Sequence, residues 1–327
     1  MSDSVQSVNR REFLKSAAFV TAAAAIARSA PAGQPQTLAR RKFGRTDIEV
    51  SVVGFSGLML SAMTQERADK AVARAVEHGV NIFDVAPAYG SAQEKMGPAL
   101  KPFRKDVFLC CKTRQRTAEG AAKELKRSLE LLQTDHFDLY QLHAIVDPVK
   151  DVEAALGRGG AMETILAARK AGQIRYIGIT AHTTEAAIAA MEKFDFDSIM
   201  FPLNFVSFHT GDFGPKILQT AVSKRMAVLA IKPLCRQEWP SAEYRKASRF
   251  RNMWYEPISE PAEAQLAVRW ALSQPITTIL PPANEEVFFL GVQTALECRP
   301  LDEQAAEQVR ALAGKLKPLF RAGKVIG

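Results

Sequence analysis

The sequence predicts an α/β fold, a closed (β/α)8 TIM barrel, on three observations. Eight short apolar runs rich in Val, Ile, Leu and Phe recur mostly 24–38 residues apart, with one gap near 50. Continuous runs of this kind suit strands buried on both faces of a parallel sheet. Segments of helical period separate them, as a barrel or a doubly wound sheet requires. The open sheet is disfavoured by the third observation. Gly54-Phe55-Ser56-Gly57 after the first run lacks G-x-G-x-x-G spacing, and no helix starts there at once.

The elements follow in order. Gly44 and Asp47 suit a turn, after which Ile48, Val50 and Val52 alternate like a strand. The eight barrel strands are expected at Ser51–Phe55, Val80–Val85, Val107–Cys111, Phe137–Leu142, Ile174–Ile179, Ser198–Leu203, Ala227–Ile231 and Thr277–Leu280. Helices are expected over Thr64–His78, which ends at Gly79, and over Thr117–Gln133, which aligns Leu125, Leu129 and Leu132. Others follow over Ala161–Ala171, Thr184–Lys193, Pro215–Lys224, Ala262–Ser273 and Asp302–Leu312. A hydrophobic share of 47% and a charged share of 24% exclude disordered and low-complexity classes. Cys110, Cys111, Cys235 and Cys298 are too few for a disulfide scaffold and form no CxxC, so free thiols are expected. No apolar run reaches the ~20 residues of a spanning helix, so no stable membrane span is expected.

Residues 1–32 read as an export segment rather than part of the barrel, which is assigned to residues 33–327. Asn9-Arg10-Arg11-Glu12-Phe13-Leu14-Lys15 precedes the weakly apolar run Ser16–Ala27, and Ala30-Pro31-Ala32 offers a small-x-small cleavage site. The arginine pair resembles a bacterial twin-arginine signal. It implies the twin-arginine machinery as a partner and a periplasmic or exported location. A disordered Ala-rich arm is the alternative.

In such barrels chemistry sits at the C-terminal ends of the strands. There the second, third and fourth runs deliver Asp84 with Tyr89, Lys112 and His143. A carbonyl that receives a hydride needs a proton on its oxygen. Tyrosine can donate it, although a free phenol has a pKa of about 10. A nearby ammonium, Lys112, is expected to lower that value, and Asp84 offers the lysine a counter-charge. A neutral His143 can hydrogen-bond the carbonyl oxygen. No metal is needed, and no ligand cluster for one is visible.

GVNIFDVAPAYG, the Lys of LCCKT, the His of LYQLH and the run IRYIGIT resemble the aldo-keto reductase superfamily. So do KFGRTDIEVSVVGFSG, AIKPL at 230–234 and AEAQLAVRWALSQPITTILP at 262–281. The resemblance runs over about residues 40–295. It implies a barrel closed below by an N-terminal hairpin, carbonyl reduction with NADPH or NADH, and Asp84, Tyr89, Lys112 and His143 as the catalytic four, with Tyr89 as proton donor.

Cofactor positions depart from the family pattern. Thr180-Ala181 replaces Ser-Asn, Met200 replaces a Gln that Asn204 can stand in for, and Ile231 replaces an aromatic residue. Thr180, Asn204, Lys232, Leu234, Arg236 and Asn284 are the expected cofactor contacts, with Arg236 near the pyrophosphate and Asn284 near the adenosine half. Glu285 and Glu286 stand where cations often bind the 2′-phosphate of NADPH, which argues for NADH.

The insert after the seventh run carries Lys232, Arg236, Trp239, Tyr244, Arg245, Lys246, Arg249, Arg251, Trp254 and Tyr255. It reads as a lid or as a solvated basic loop. With Arg114 and Arg116 it suggests an anionic or sugar-like carbonyl or alcohol substrate. Such a loop also suits nucleic acid, but an exported enzyme rarely meets any, so no nucleic-acid partner is expected. Three alternatives stay open: a closed redox cycle on tightly held NAD(P), such as sugar epimerisation; Schiff-base chemistry at Lys112; and a non-catalytic nucleotide-binding barrel.

Overall fold

The computed structural model describes residues 37–324. The twin-arginine segment, expected over residues 1–32, lies outside the described residues. Twelve strands are numbered in chain order. Strands β1 (Arg40–Lys42) and β2 (Glu49–Ser51) form an antiparallel hairpin. The barrel consists of β3 (Phe55–Ser56), β4 (Ile82–Asp84), β5 (Phe108–Thr113), β6 (Phe137–Ile145), β7 (Ile174–Ala181), β8 (Ser198–Pro202), β9 (Ala227–Ile231) and β12 (Thr278–Leu280). Each pairs in parallel with the next in sequence order, and β9 with β12. A parallel bridge between Val53 and Ile279 closes the ring. The Gly54 amide donates to the Ile279 carbonyl at 2.8 Å, and the Ile279 amide to the Val52 carbonyl at 2.9 Å. The expected (β/α)8 barrel is therefore the observed one.

The first expected strand is split. Its start joins the hairpin, and only Val53 and Phe55–Ser56 pair within the barrel. The alternation of Ile48, Val50 and Val52 marks this difference, because a hairpin strand packs on one face only.

The anticipated helices form within a residue or two of their expected ends. Side-chain caps fix several starts: Thr64 accepts from the Arg67 amide, Thr117 from Gly120, and Thr183 from Ala186. The helices outside the expected set include Ala92–Leu100 and Glu285–Leu296. Gly97 and Pro98 disguise the first as a turn. Gly97 is required there, because a Cβ at that position would collide with the Leu131 carbonyl.

The core has two shells. The inner one fills the barrel with Phe43, Val50, Ile82, Phe108, Cys110, Leu139, Met200, Ala227, Leu229 and Leu280. Phe43, carried by the hairpin turn, plugs the base with its ring 4.7 Å from Phe108 and 5.8 Å from Tyr176. The outer shell, between strands and helices, takes Leu109 and Cys111. Alternation along β5 thus places Phe108, Cys110 and Lys112 toward the barrel axis. On β6 the same rule selects Leu139, Gln141 and His143. The barrel is apolar at its base and charged at its C-terminal mouth. All four cysteines are free thiols. No helix of the described residues is long and apolar enough to cross a membrane.

Candidate active site

Parallel register brings the four candidate residues together. Asp84 ends β4, Lys112 and His143 lie near the ends of β5 and β6, and Tyr89 follows in the turn after β4. The Lys112 Nζ donates to Asp84 Oδ2 at 2.5 Å and to the Tyr89 hydroxyl at 2.9 Å. The Tyr89 and His143 rings meet edge to face, 5.8 Å between centroids. Lys112 has no exposed surface and Asp84 is 2% exposed, so the ion pair has left water. Such a pair persists only if its remaining polar atoms are bonded. Gln141, opposite Lys112 on β6, supplies one bond by donating to Asp84 Oδ1 at 3.4 Å. Gln141 was not singled out from the sequence. Its spacing of two from His143 on one strand is the signal that could have found it.

The electrostatics differ in one respect from the sequence reading. Burial raises the Tyr89 phenol above its ordinary value and outweighs the lowering by Lys112. Tyr89 therefore holds its proton firmly in the chain alone. Burial pulls the Lys112 ammonium down, but Asp84 and Tyr89 together raise it above its usual value. Burial lifts the Asp84 carboxyl against the pull of Lys112. His143 is pushed down to about 2, by burial first and then by Lys112, Arg114, His182 and Arg116. A neutral imidazole keeps one N–H to donate and one nitrogen to accept.

The peptide around His143 is held on both sides. The Arg116 guanidinium, paired with Asp151 at 2.9 Å, donates to the His143 carbonyl at 2.9 Å. Ala144 adopts a left-handed backbone (φ 55°), and its amide donates to Thr180 Oγ1 at 2.6 Å. Thr180 is thus committed as an acceptor, while its hydroxyl hydrogen can still donate to a ligand.

The remaining cofactor candidates are placed as follows. Asn204 accepts the Ser207 amide at 2.9 Å, and its Nδ2 is buried without a partner. Leu234 is fully buried, and its carbonyl accepts the Ile258 amide at 2.9 Å. Arg236 does not stand free near a pyrophosphate. Its Nε lies 3.1 Å from both oxygens of Glu263, and its Nη1 lies 3.5 Å from Glu256. An anion there would have to displace two carboxylates. Lys232 has a left-handed backbone (φ 63°) and no carboxylate partner among the described residues. Asn284 caps the helix Glu285–Leu296 through the Val287 amide.

Asn284 also borders a cavity of about 830 Å³ between that helix and the helix Gln65–Glu77, with Arg249 and Phe250 of the insert at its rim. Glu285 and Glu286 are not free negative charges. Arg67 pairs with Glu285 at 2.7 Å, and Arg249 with Glu286 at 2.7 Å. Their expected repulsion of a 2′-phosphate is thereby weakened. Neither arginine could be matched to its glutamate from sequence, because the partners lie far apart in the chain.

The insert carries short elements of its own, and its surface stays largely solvated, with Lys246, Arg249 and Arg251 exposed. Strands β10 (Cys235–Gln237) and β11 (Glu256–Pro257) pair, and a short helix spans Ala242–Ala247. Trp239 Nε1 donates to the Met253 carbonyl at 2.9 Å, and Tyr255 is buried. Trp254 remains 47% exposed.

A model of the aldo/keto reductase family matches residues 52–313. An uncharacterized oxidoreductase of Bacillus subtilis is 24% identical over 309 residues, which is 85% of this chain and 96% of that protein. The L-galactose dehydrogenase of Arabidopsis thaliana is 24% identical over 312 residues, 85% of this chain and 95% of the relative. Among solved structures, the holo form of an aldo-keto reductase from Bacillus halodurans has a TM-score of 0.65 at 22% identity, covering 88% of this chain and 99% of that one.

Proposed function

The chain belongs to the aldo/keto reductase family and is an oxidoreductase of the carbonyl/alcohol type, and from that premise we propose that it interconverts an aldehyde or ketone and its alcohol with NADH or NADPH. The observation that carries the reading is the Lys112 ammonium shared between Asp84 and Tyr89 at 2.5 and 2.9 Å.

A bound nicotinamide would supply or take up the hydride. The chain's own residues handle the proton and the developing charge. Burial keeps the Tyr89 phenol protonated until a carbonyl oxygen needs its proton. The phenolate left behind forms 2.9 Å from the Lys112 ammonium. In a site shielded from water that attraction is far stronger than in solution. Asp84 holds the lysine charged and in place. Neutral His143 donates an N–H to the same carbonyl oxygen, which orients it and stabilises its negative charge.

The residues present fit a dinucleotide. The buried, unpartnered Nδ2 of Asn204 and the hydroxyl hydrogen of Thr180 offer two donors to a carboxamide. Leu234 would contribute backbone only. Asn284 borders a cavity large enough for the adenosine half. Arg236 drops out of this set, because Glu263 and Glu256 hold it.

The experiment is a titration of the full chain with NADH and with NADPH, followed by quenching of tryptophan emission. Saturable binding of either, with oxidation of the bound nucleotide on adding an aldehyde, is the expected result. A folded chain that binds neither would overturn the reading. We propose in addition, from residues 1–32 alone, that the twin-arginine machinery exports the protein to the periplasm. Cell fractionation that finds Arg10→Lys/Arg11→Lys distributed as the parent would contradict this.

A further inference from the structure

Among the described residues, Lys232 is a cation at the mouth of the barrel that the mechanism above leaves unused. Lys232 follows β9 directly, at the same end as Lys112 and His143. Its Nζ lies 5.3 Å from the Trp254 ring centroid and 5.2 Å from that of Phe320. The two aromatic faces stabilise the positive charge but accept no ordinary hydrogen bond from its three N–H groups. Among the described residues no carboxylate pairs with it. Lys232 is half-buried as a residue, and burial, with Lys112, lowers its ammonium to about 8, which leaves it charged at neutral pH. Its left-handed backbone is a strained state for a lysine, of the kind that persists at functional sites.

The surroundings share its sign. His182, at the end of β7, packs edge-on against Phe320 at 5.9 Å. Its imidazole is held down to about 3, by burial first and then by Lys232, Arg114 and Lys112. Trp254 also borders a cavity of about 560 Å³ between the insert and the C-terminal segment, with Trp239, Arg245, Lys246, Arg251 and Leu319. Lys246 and Arg251 have no carboxylate partner among the described residues. Glu238 is the acidic group at that cavity, and Lys324 faces it at 3.9 Å. A mouth with unmatched cations and exposed indole surface is complementary to an organic anion.

We propose that the carbonyl substrate carries an anionic group, a carboxylate or phosphate, which the Lys232 ammonium receives while the exposed Trp254 indole covers its carbon skeleton. This rests on the carbonyl reductase reading and narrows its substrate class. It also moves Lys232 from the dinucleotide contacts to the substrate.

The test compares D-glucuronate with D-glucose, which differ by one carboxylate, as ligands of the full chain. Binding is followed by tryptophan emission. Wild type is expected to bind D-glucuronate at least tenfold tighter. Lys232→Met should bring the ratio near one, and Lys232→Arg should keep most of it. In turnover the Lys232→Met loss should appear in KM rather than kcat. Equal affinity for the two sugars, or a ratio untouched by Lys232→Met, overturns the proposal. So does Lys232→Met weakening NADH or NADPH binding with the sugar ratio intact, since the anion would then be the nucleotide's phosphate. The two readings fail separately. Lys232-dependent D-glucuronate binding without nucleotide binding sinks the reductase reading alone. Tyr89-dependent reduction of both sugars with equal efficiency sinks the anion site alone.

Discussion

Thr180 accepts the Ala144 amide at 2.6 Å, and this bond ties the end of β7 to the kink that follows His143 in β6. The next strand over thus sets the orientation of the imidazole. A hydrogen bond of this kind is worth about 1 kcal/mol. Thr180→Val, which keeps the shape and removes the acceptor, should lower kcat about fivefold, and Thr180→Ser should restore it. Equal kcat for the valine variant and wild type would show that the kink holds itself.

Removing the lysine from the buried ion pair should cost stability as well as activity. Lys112→Met leaves Asp84, 2% exposed, as an unpaired carboxylate. The expected loss is about 3–5 kcal/mol in denaturant unfolding. Lys112→Met/Asp84→Leu should recover much of that stability while staying inactive. A Lys112→Met chain as stable as wild type would show that the pair is solvated.

How much of this was legible in the sequence depends on the range of the interaction. The strand ends carrying Asp84, Lys112 and His143 were readable because apolar runs mark strands and chemistry sits at one end of them. The neutrality of His143 was readable too, as a need of the mechanism. The upward shift of Tyr89 was not, because it requires knowing that burial exceeds the pull of an ammonium 2.9 Å away. Long-range pairs were silent. Arg236 looked free until Glu263 and Glu256 closed on it, and Phe320 reaches Lys232 from the far end of the chain.

The depressed His143 and His182 imidazoles fix the pH behaviour. Both are neutral in the folded chain above about 3, whereas a free histidine takes up its proton near pH 6.5. The unfolded chain therefore binds more protons below pH 6.5, so stability falls as pH drops through that value. The kcat/KM profile should show no histidine limb between pH 5 and 8. A limb near pH 6.5 that disappears in His143→Gln would contradict the neutral assignment.

Cofactor preference should respond to two carboxylates. Glu285 and Glu286 now neutralise Arg67 and Arg249 beside the 830 Å³ cavity. Glu285→Gln/Glu286→Gln frees both guanidinium groups. The Kd ratio of NADH to NADPH should then shift at least tenfold toward NADPH. An unchanged ratio would place the 2′-position elsewhere.

The most direct test of the central claim is Tyr89→Phe, which removes one hydroxyl and leaves the ring edge-on to His143. The full chain and the variant are each loaded with NADH or NADPH, mixed with an activated aromatic aldehyde, and followed through a single turnover. The account predicts nucleotide affinity within about twofold of wild type and a rate lower by roughly 10²–10⁴-fold. A variant that binds nucleotide and oxidises it at the wild-type rate would show that the proton comes from another group, and the role assigned to Tyr89 would fall.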